Sequence, residues 1–463
     1  MSCKFIKKSD NLHKKSKFVI FVHYYTYINM KKVISLALLL AVATSSFAQQ
    51  NYKDYTPSEG NLKARQEFAD SKFGIFLHWG LYSIFAQGEW YLSKGKLSHA
   101  EYKKSADAFY PHRFDAKAWV KAIKDSGAKY ICLTSRHHDG FSLWNTKYSD
   151  YDIVDATPYG KDVVKALSKE CKKQGLKFHL YYSHADWGRT DYWPSRSSNK
   201  VTGKDKFDGG YENYFKFMNN QLEELLTKYD VDALWFDGMW DRRSVNWRIQ
   251  EQYEHIHKIK PECLVGNNHH LPAIPGEDFQ IFERDLPGEN KAGFSKGQTV
   301  STKLPLETCQ TMNGMWGYKV ADQNYKSTEY LVRYLLSIAC KGANLLLNIG
   351  PQPNGELPAT ALERLKEMGE WLRKYGDSVY GTTAGDIQAQ EWGVTTRKGE
   401  RLFVHIFDLK SKELHLPLSC KVEKAYTFEG KQPVAFTATN GGVTLKFDTI
   451  PSGTDYIVEL ITK

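Results

Sequence analysis

The chain has 463 residues, with 63 Lys+Arg against 53 Asp+Glu and a formal net charge of +10. Hydrophobic residues at 41% and charged residues at 25% are ordinary for folded soluble chains, which argues against disorder, collagen and a polytopic membrane protein, and the length suggests two or three domains. Aromatic residues are in excess, with 12 Trp, 28 Tyr and 24 Phe, and such flat apolar surfaces with polar rims suit sugar rings as well as bases.

At the N-terminus, Met30-Lys31-Lys32 opens a basic segment, Val33 to Val42 is an apolar run, and Ser46-Phe47-Ala48 is a small-x-small cleavage pattern. That is the pattern of a secretory signal peptide. The apolar run is about half the roughly 20 residues needed to span a bilayer, so cleavage is expected rather than anchoring, with no membrane insertion afterwards. Residues 1–48 are thus read as an upstream extension plus signal, with translation starting at Met30 and export across the inner membrane to the periplasm. Its removal takes away eight Lys and one Asp and leaves a charge near +3. No Lys/Arg tract survives, so nucleic acid is not an expected partner. The six remaining Cys include no C-x-x-C pair, and several sit in apolar patterns that read as buried free thiols.

Past the leader, Phe73 to Leu77 reads as a buried strand, and a phrase then recurs: amphipathic helix, turn, short apolar strand. Asp115 caps a helix carrying Trp119, Val120 and Ile123, Gly127 ends it, and Tyr130 to Thr134 follows as a strand. Val163 to Cys171 leads to Phe178–Tyr182, and Tyr214 to Leu226 to Val231–Phe236. Ile249 to Ile259 leads to Cys263–Val265, and Leu331 to Ala339 to Leu345–Leu347. A further strand is expected near Leu306 to Thr311. Helices alternating with continuous apolar strands imply a parallel sheet covered on both faces. Seven or so strands, with no G-x-G-x-x-G after the first, favour an α/β fold of the irregular (β/α)8-like, TIM-type barrel over residues 49–375. After Tyr375 the pattern alternates with period two in Leu402–Phe407, Val443–Phe447 and Tyr456–Leu460, which predicts a C-terminal antiparallel β-sandwich over 376–463.

Barrel chemistry sits where strands end. Those positions read His78-Trp79-Gly80, with Glu89-Trp90 shortly after; Arg136-His137-His138-Asp139; Tyr182-Ser183-His184; Trp235-Phe236-Asp237-Gly238; and Asn267-Asn268-His269-His270. Asp237, among bulky aromatics and followed by Gly, is the sharpest candidate. Glycoside hydrolysis needs a second carboxyl group, and Glu277, Glu283 and Glu289, all expected on the loop after the fifth strand, stand equal by spacing.

Taken together, Phe73 to Gly80, Glu89-Trp90, Ser135 to Phe141, Tyr181-Tyr182-Ser183, Leu234 to Gly238 and Leu346 to Gly355 resemble the family 29 glycoside hydrolases, the α-L-fucosidases, over roughly residues 55 to 460. The resemblance implies exo-acting release of terminal α-L-fucose from fucosylated oligosaccharides or glycoconjugates by a retaining double displacement, with no cofactor and no metal. It implies Asp237 as nucleophile and favours Glu283, at the end of Asp278 to Glu283, as acid/base. His78, Glu89, Trp90, His137, His138, Tyr182 and Trp235 match positions that hold the fucose hydroxyls and ring, and Trp316 matches an aromatic against the sugar's methyl group. Many members read Asn-Asp-Arg after the fifth strand; here His269 stands where that Arg would contact the sugar.

Three other readings compete. His137-His138-Asp139 invites a metal, but a catalytic zinc needs about three convergent ligands, and H-E-x-x-H is absent. Adjacent histidines instead suit vicinal hydroxyls, with one ring facing the pocket and the next turned elsewhere. Gly293 to Gly297 spells G-x-S-x-G without the strand and helix a nucleophile elbow requires. The third is a non-catalytic fucose- or glycan-binding protein on the same scaffold.

Overall fold

The computed structural model describes residues 52–95, 97–193, 210–242 and 245–463; the leader, its cleavage site and Met30 lie outside them. Eight parallel strands form the first sheet: β1 (Phe73–Leu77), β2 (Tyr130–Arg136), β3 (Lys177–Ser183), β4 (Ala233–Asp237), β5 (Leu264–Asn267), β6 (Gln280–Glu283), β7 (Leu306–Thr311) and β8 (Asn344–Ile349). Their order, β5-β4-β3-β2-β1-β8-β7-β6, curls into a nearly closed barrel.

Local sequence explains the helices around it. α1 (Glu59–Ser71) is capped by Ser58, α2 (Ala116–Asp125) by Asp115, and α3 (Val163–Gln174) by Asp162. Each cap side chain accepts from an otherwise orphaned backbone N–H. α4 (Tyr211–Lys228), α5 (Ile249–Ile259), α6 (Thr328–Ala339) and α7 (Ala359–Tyr375) complete the layer. α1 precedes the barrel, and its Phe68 packs with Tyr130, Phe279 and other inward residues as a plug in the barrel interior.

The irregularity is concentrated at β5 and β6. No helix follows either strand, and the two share no ladder. Asp278 joins them instead. Its amide donates to the Val265 carbonyl at 2.7 Å, and its carboxylate accepts from the Val265 amide at 2.8 Å. Arg65 and His257 hold the same buried carboxylate. Glu283, expected on a loop after the fifth strand, is the last residue of a sixth strand. The segment Gln280-Ile281-Phe282-Glu283 is short, has two polar ends and lacks a following helix, so the repeating phrase does not reveal it.

Beyond α7 come β9 (Thr383–Ala384), β10 (Gly393–Lys398), β11 (Arg401–Ile406), β12 (Glu413–Leu416), β13 (Val422–Thr427), β14 (Ala435–Thr439), β15 (Gly442–Lys446) and β16 (Tyr456–Thr462). They form two antiparallel sheets, β13-β16-β11-β10-β9 and β12-β15-β14, with a shared core that includes Leu402, Val404, Leu414, Leu416, Leu445 and Leu460. Arg333 of α6 fastens barrel to sandwich by donating to the carbonyls of Phe407, Gly453 and Thr454.

Candidate active site

Strand parity decides which side chains enter the barrel. Trp235 and Asp237 point inward on β4, and the register pairs them with Tyr181 and Ser183 of β3. Tyr181 therefore shares the interior and donates its hydroxyl to Asp237 Oδ2 at 3.0 Å. Tyr182, read from the sequence as a sugar contact, lies on the opposite face. Its hydroxyl donates to Gln221 of α4 at 2.8 Å, and the buried Arg136 guanidinium lies over its ring. The period-two alternation of the strand puts Tyr181 in the place expected for Tyr182.

Asp237 is held from several sides. Trp240 Nε1 donates to Oδ1 at 2.8 Å opposite the Tyr181 donor on Oδ2, while His138 Nε2 comes to 3.6 Å from Oδ2 without a proton to give it. Behind it, Gly238 has φ +98, and a Cβ there would stand 2.7 Å from the Ala185 amide nitrogen, so the chain can turn at this point only as glycine. Burial pushes the Asp237 carboxyl up to about 7, helped by the Glu283 charge, while Trp240, the Gly238 amide and Tyr181 pull it back.

The Asn268 amide bridges the two acids. Its Nδ2 donates to Glu283 Oε2 at 2.9 Å and lies 3.5 Å from Asp237 Oδ1. Those two carboxyl oxygens can therefore be no further apart than the two distances laid end to end. That is below the roughly 6.5 Å at which inverting pairs begin and compatible with the ~5–5.5 Å of retaining ones. Burial also raises Glu283, with Asn268 and Arg284 opposing. The two other glutamates are elsewhere. Glu277 is a loop brace, accepting from Tyr253, His269 and the Ile274 amide, and Glu289 pairs with Lys291.

His269 belongs to the same brace. Its Nδ1 accepts from the Leu271 amide at 3.0 Å and its Nε2 donates to Glu277 at 2.8 Å, so both ring nitrogens are engaged and the residue is not a sugar contact. The next residue, His270, with φ +60, brings Nε2 to 3.6 Å from Glu283.

The histidines of β1 and β2 face the same mouth. His78 Nδ1 meets Asn348 Oδ1 at 2.6 Å, and the Asn348 amide is oriented by donating to the Trp316 carbonyl. His138 Nδ1 meets Ser183 Oγ at 2.6 Å, and that hydroxyl donates to the Ala185 carbonyl. Each Nδ1 must then carry the proton, which leaves each Nε2 an acceptor. Burial lowers both rings to about 3 and pushes His137 well below the usual imidazole range, so all three are neutral. His137 stacks on Tyr181, with ring centroids 5.4 Å apart and 11° between planes, and its ring lies 4.2 Å from that of His138. Neither ring is turned away as expected, because they follow the β2 irregularity between Thr134 and Arg136 and escape strand alternation. Asp139 leaves the group, accepting instead from Tyr102 at 2.8 Å.

Glu89 is buried and accepts from the Gly317 amide at 2.7 Å, which ties it to the segment carrying Trp316. Trp316 lies beside His78, centroid to centroid 5.2 Å. Trp90 is half-buried against His138, Trp187 and Trp240. Trp235 stacks below Tyr181, and its indole N–H donates to the buried Glu307 at 2.8 Å, so it offers the mouth a ring and no donor. The geometry thus gathers Asp237, Glu283, His78, Glu89, Trp90, His137, His138, Trp235 and Trp316 at one end of the barrel, and adds Tyr181, Trp240, Asn268, His270 and Arg284. Among the described residues no group of three or more His, Cys, Asp or Glu is arranged to hold a metal ion.

Comparison with known proteins agrees over most of the chain. The sequence model of the α-L-fucosidase family matches residues 39–377. An α-L-fucosidase isoenzyme 1 from Paenibacillus thiaminolyticus has a similar solved structure, with TM-score 0.77 and 32% identity over 87% of this chain and 100% of that one. A second, at TM-score 0.76 and 26% identity over 89% of this chain and 98% of that one, is a family 29 α-L-fucosidase from Bacteroides thetaiotaomicron trapped as a covalent intermediate with 2-fluoro-fucosyl fluoride. An α-L-fucosidase of Dictyostelium discoideum is 29% identical over 418 residues, 82% of this chain and 85% of its own.

Proposed function

The chain belongs to the α-L-fucosidase family, and from that premise we propose that it releases terminal α-L-fucose from glycans by a retaining double displacement, with Asp237 as nucleophile and Glu283 as acid/base. The observation that carries this reading is the Asn268 bridge, which brings an oxygen of the buried Asp237 and one of the partly buried Glu283 to the same amide, closer together than inverting pairs stand.

In the first step an Asp237 oxygen forms a bond to the anomeric carbon while the bond to the leaving oxygen breaks and Glu283 gives that oxygen its proton. In the second, water attacks the same carbon, loses a proton to Glu283, and Asp237 departs. The roles differ because the surroundings differ. Donors from Tyr181 and Trp240 favour the ionised form of Asp237, and a second charge a few ångströms away keeps one proton on the pair near neutrality. Neutral His78 and His138, with Nε2 as acceptor, fit sugar hydroxyls, while Trp90, Trp235 and Trp316 offer apolar faces to C–H groups.

We place the enzyme in the bacterial periplasm, on the strength of the basic segment, apolar run and cleavage pattern between Met30 and Ala48. Five of the six Cys outside the leader are buried as free thiols, a state that survives an oxidising compartment without cross-linking. The test of the reaction is proton NMR of an aryl α-L-fucoside during early turnover. Free fucose should appear first as the α-anomer; β-anomer first, or no release, overturns the reading.

A further inference from the structure

Directly after Glu283, Arg284 has φ +61, a left-handed backbone that a long side chain adopts only when its surroundings hold it there. They do so on both sides. Its amide donates to the Cys309 carbonyl at 2.8 Å, and its own carbonyl accepts from Tyr334 of α6 at 3.1 Å. The left-handed turn brings its side chain to the segment that carries Trp316. There Nη2 donates to the Gly314 carbonyl at 3.0 Å, and the guanidinium lies 5.2 Å from the centre of the Trp316 ring.

We propose that Arg284 is a positioning residue that clamps the Trp316 segment to the strand bearing Glu283, so that the wall of the sugar pocket and the proton donor move as one. The proposal rests on the fucosidase reading above and adds a residue to it. The clamp has a geometric reason. Trp316 lies on the connection after β7 and Glu283 ends β6, and at this level the Arg284 side chain is a direct side-chain tie between them. A guanidinium suits the task, since it donates in its plane to Gly314 while presenting a flat face to the indole. The same segment is fixed at its far side by Glu89 on the Gly317 amide and by the Gly88 amide on the Tyr318 carbonyl at 2.9 Å. Loss of Arg284 leaves the segment its other ties, Asp322 on the Gly314 and Met315 amides and Asn348 on the Trp316 carbonyl, and removes the side chain that reaches it from the strand end bearing Glu283.

The charge has a consequence of its own. Glu283 is faced by Asp237 from β4, His270 from the β5 connection, Arg284 and Asp285 from its own strand end, and Cys309 from β7, and in this set Arg284 is the fixed positive charge. It holds the carboxyl down against burial.

Three variants assayed on an aryl α-L-fucoside test the proposal. Arg284→Met should lower kcat/KM by about tenfold to a hundredfold, as a misplaced pocket wall does, and should move the alkaline limb of the pH profile upward because Glu283 keeps its proton longer. Arg284→Lys should restore the limb, by restoring charge, while KM stays raised because the fork and flat face are missing. Arg284→Gly, which suits φ +61, should match the Met variant in activity while melting no lower than wild type. Wild-type KM and an unshifted limb in Arg284→Met overturn the proposal, as does an Arg284→Gly that melts lower yet keeps full activity per folded molecule. Absence of turnover in the wild type would instead count against the fucosidase reading.

Discussion

The hydroxyl of Tyr181 donates to Oδ2 of Asp237 across 3.0 Å, whereas the hydroxyl of its neighbour Tyr182 donates to Gln221 on the far side of the sheet. The two tyrosines should therefore fail differently. Tyr181→Phe removes a donor that steadies the ionised nucleophile, and kcat/KM on an aryl fucoside should fall about tenfold to a hundredfold with little change in melting temperature. Tyr182→Phe leaves Gln221 Oε1 short of a partner and should cost about 1 kcal/mol of stability, read by urea denaturation, with activity near wild type. The reverse pattern would restore Tyr182 as the sugar contact.

Turnover requires Asp237 ionised and Glu283 protonated, so activity should be bell-shaped in pH. The acid limb falls as Asp237, whose carboxyl burial pushes up, takes up a proton. The alkaline limb falls as Glu283 gives its proton up. Glu283→Gln imitates the protonated acid permanently, so on a substrate whose leaving group needs no protonation this variant should keep the acid limb and lose the alkaline one in the first, fucosyl-transfer step. An alkaline limb that persists in Glu283→Gln would show that another group, not Glu283, titrates there.

Burial of Asp237 also costs stability, and the sign follows from linkage. A carboxyl whose folded-state value is raised binds its proton more tightly when folded. Stability is thus greatest below the unfolded value near 4 and falls as pH rises toward about 7. At roughly 1.4 kcal/mol per unit the penalty is on the order of a few kcal/mol at most. Asp237→Asn should accordingly be inactive and melt higher than wild type at pH 8, with the gain shrinking at pH 4. Calorimetry at the two values checks it; equal shifts at both would mean that charge burial is not the cause.

Much of this was legible in the sequence, for physical reasons that also mark where legibility ended. Continuous apolar strands such as Leu345–Leu347 and capped helices such as the one after Asp115 are local patterns, and they gave the barrel. Asp237 was legible because it ends such a strand. β6 was not, since Gln280 to Glu283 has just two apolar residues and its tie to β5 runs through the carboxylate of Asp278, a contact no periodicity encodes. The exchange of Tyr181 for Tyr182 was within reach: Trp235 and Asp237 fix the inward parity of β4, and the same parity carried across the register selects Tyr181. Asn268 and Arg284 carry no local signal. Their roles depend on strands and loops far apart in the chain meeting at one mouth.

The neighbouring histidines after β5 give the last contrast. His269 has both ring nitrogens engaged, by the Leu271 amide and by Glu277, and Glu277 in turn receives Tyr253 and the Ile274 amide. It braces the loop from within. His270 turns through φ +60 and brings Nε2 to 3.6 Å from the Glu283 carboxylate, where it can meet the proton donor or a ligand beside it. His269→Ala should thus leave a buried carboxylate short of a donor and destabilise the fold by about 1 to 3 kcal/mol, with KM on an aryl fucoside close to wild type. His270→Ala, which removes a ring stacked on Phe294 and set beside Glu283, should change the kinetics, shifting the alkaline limb that reports Glu283. Paired melting curves and pH profiles decide the matter, and a raised KM in His269→Ala without loss of stability would return that residue to the sugar site.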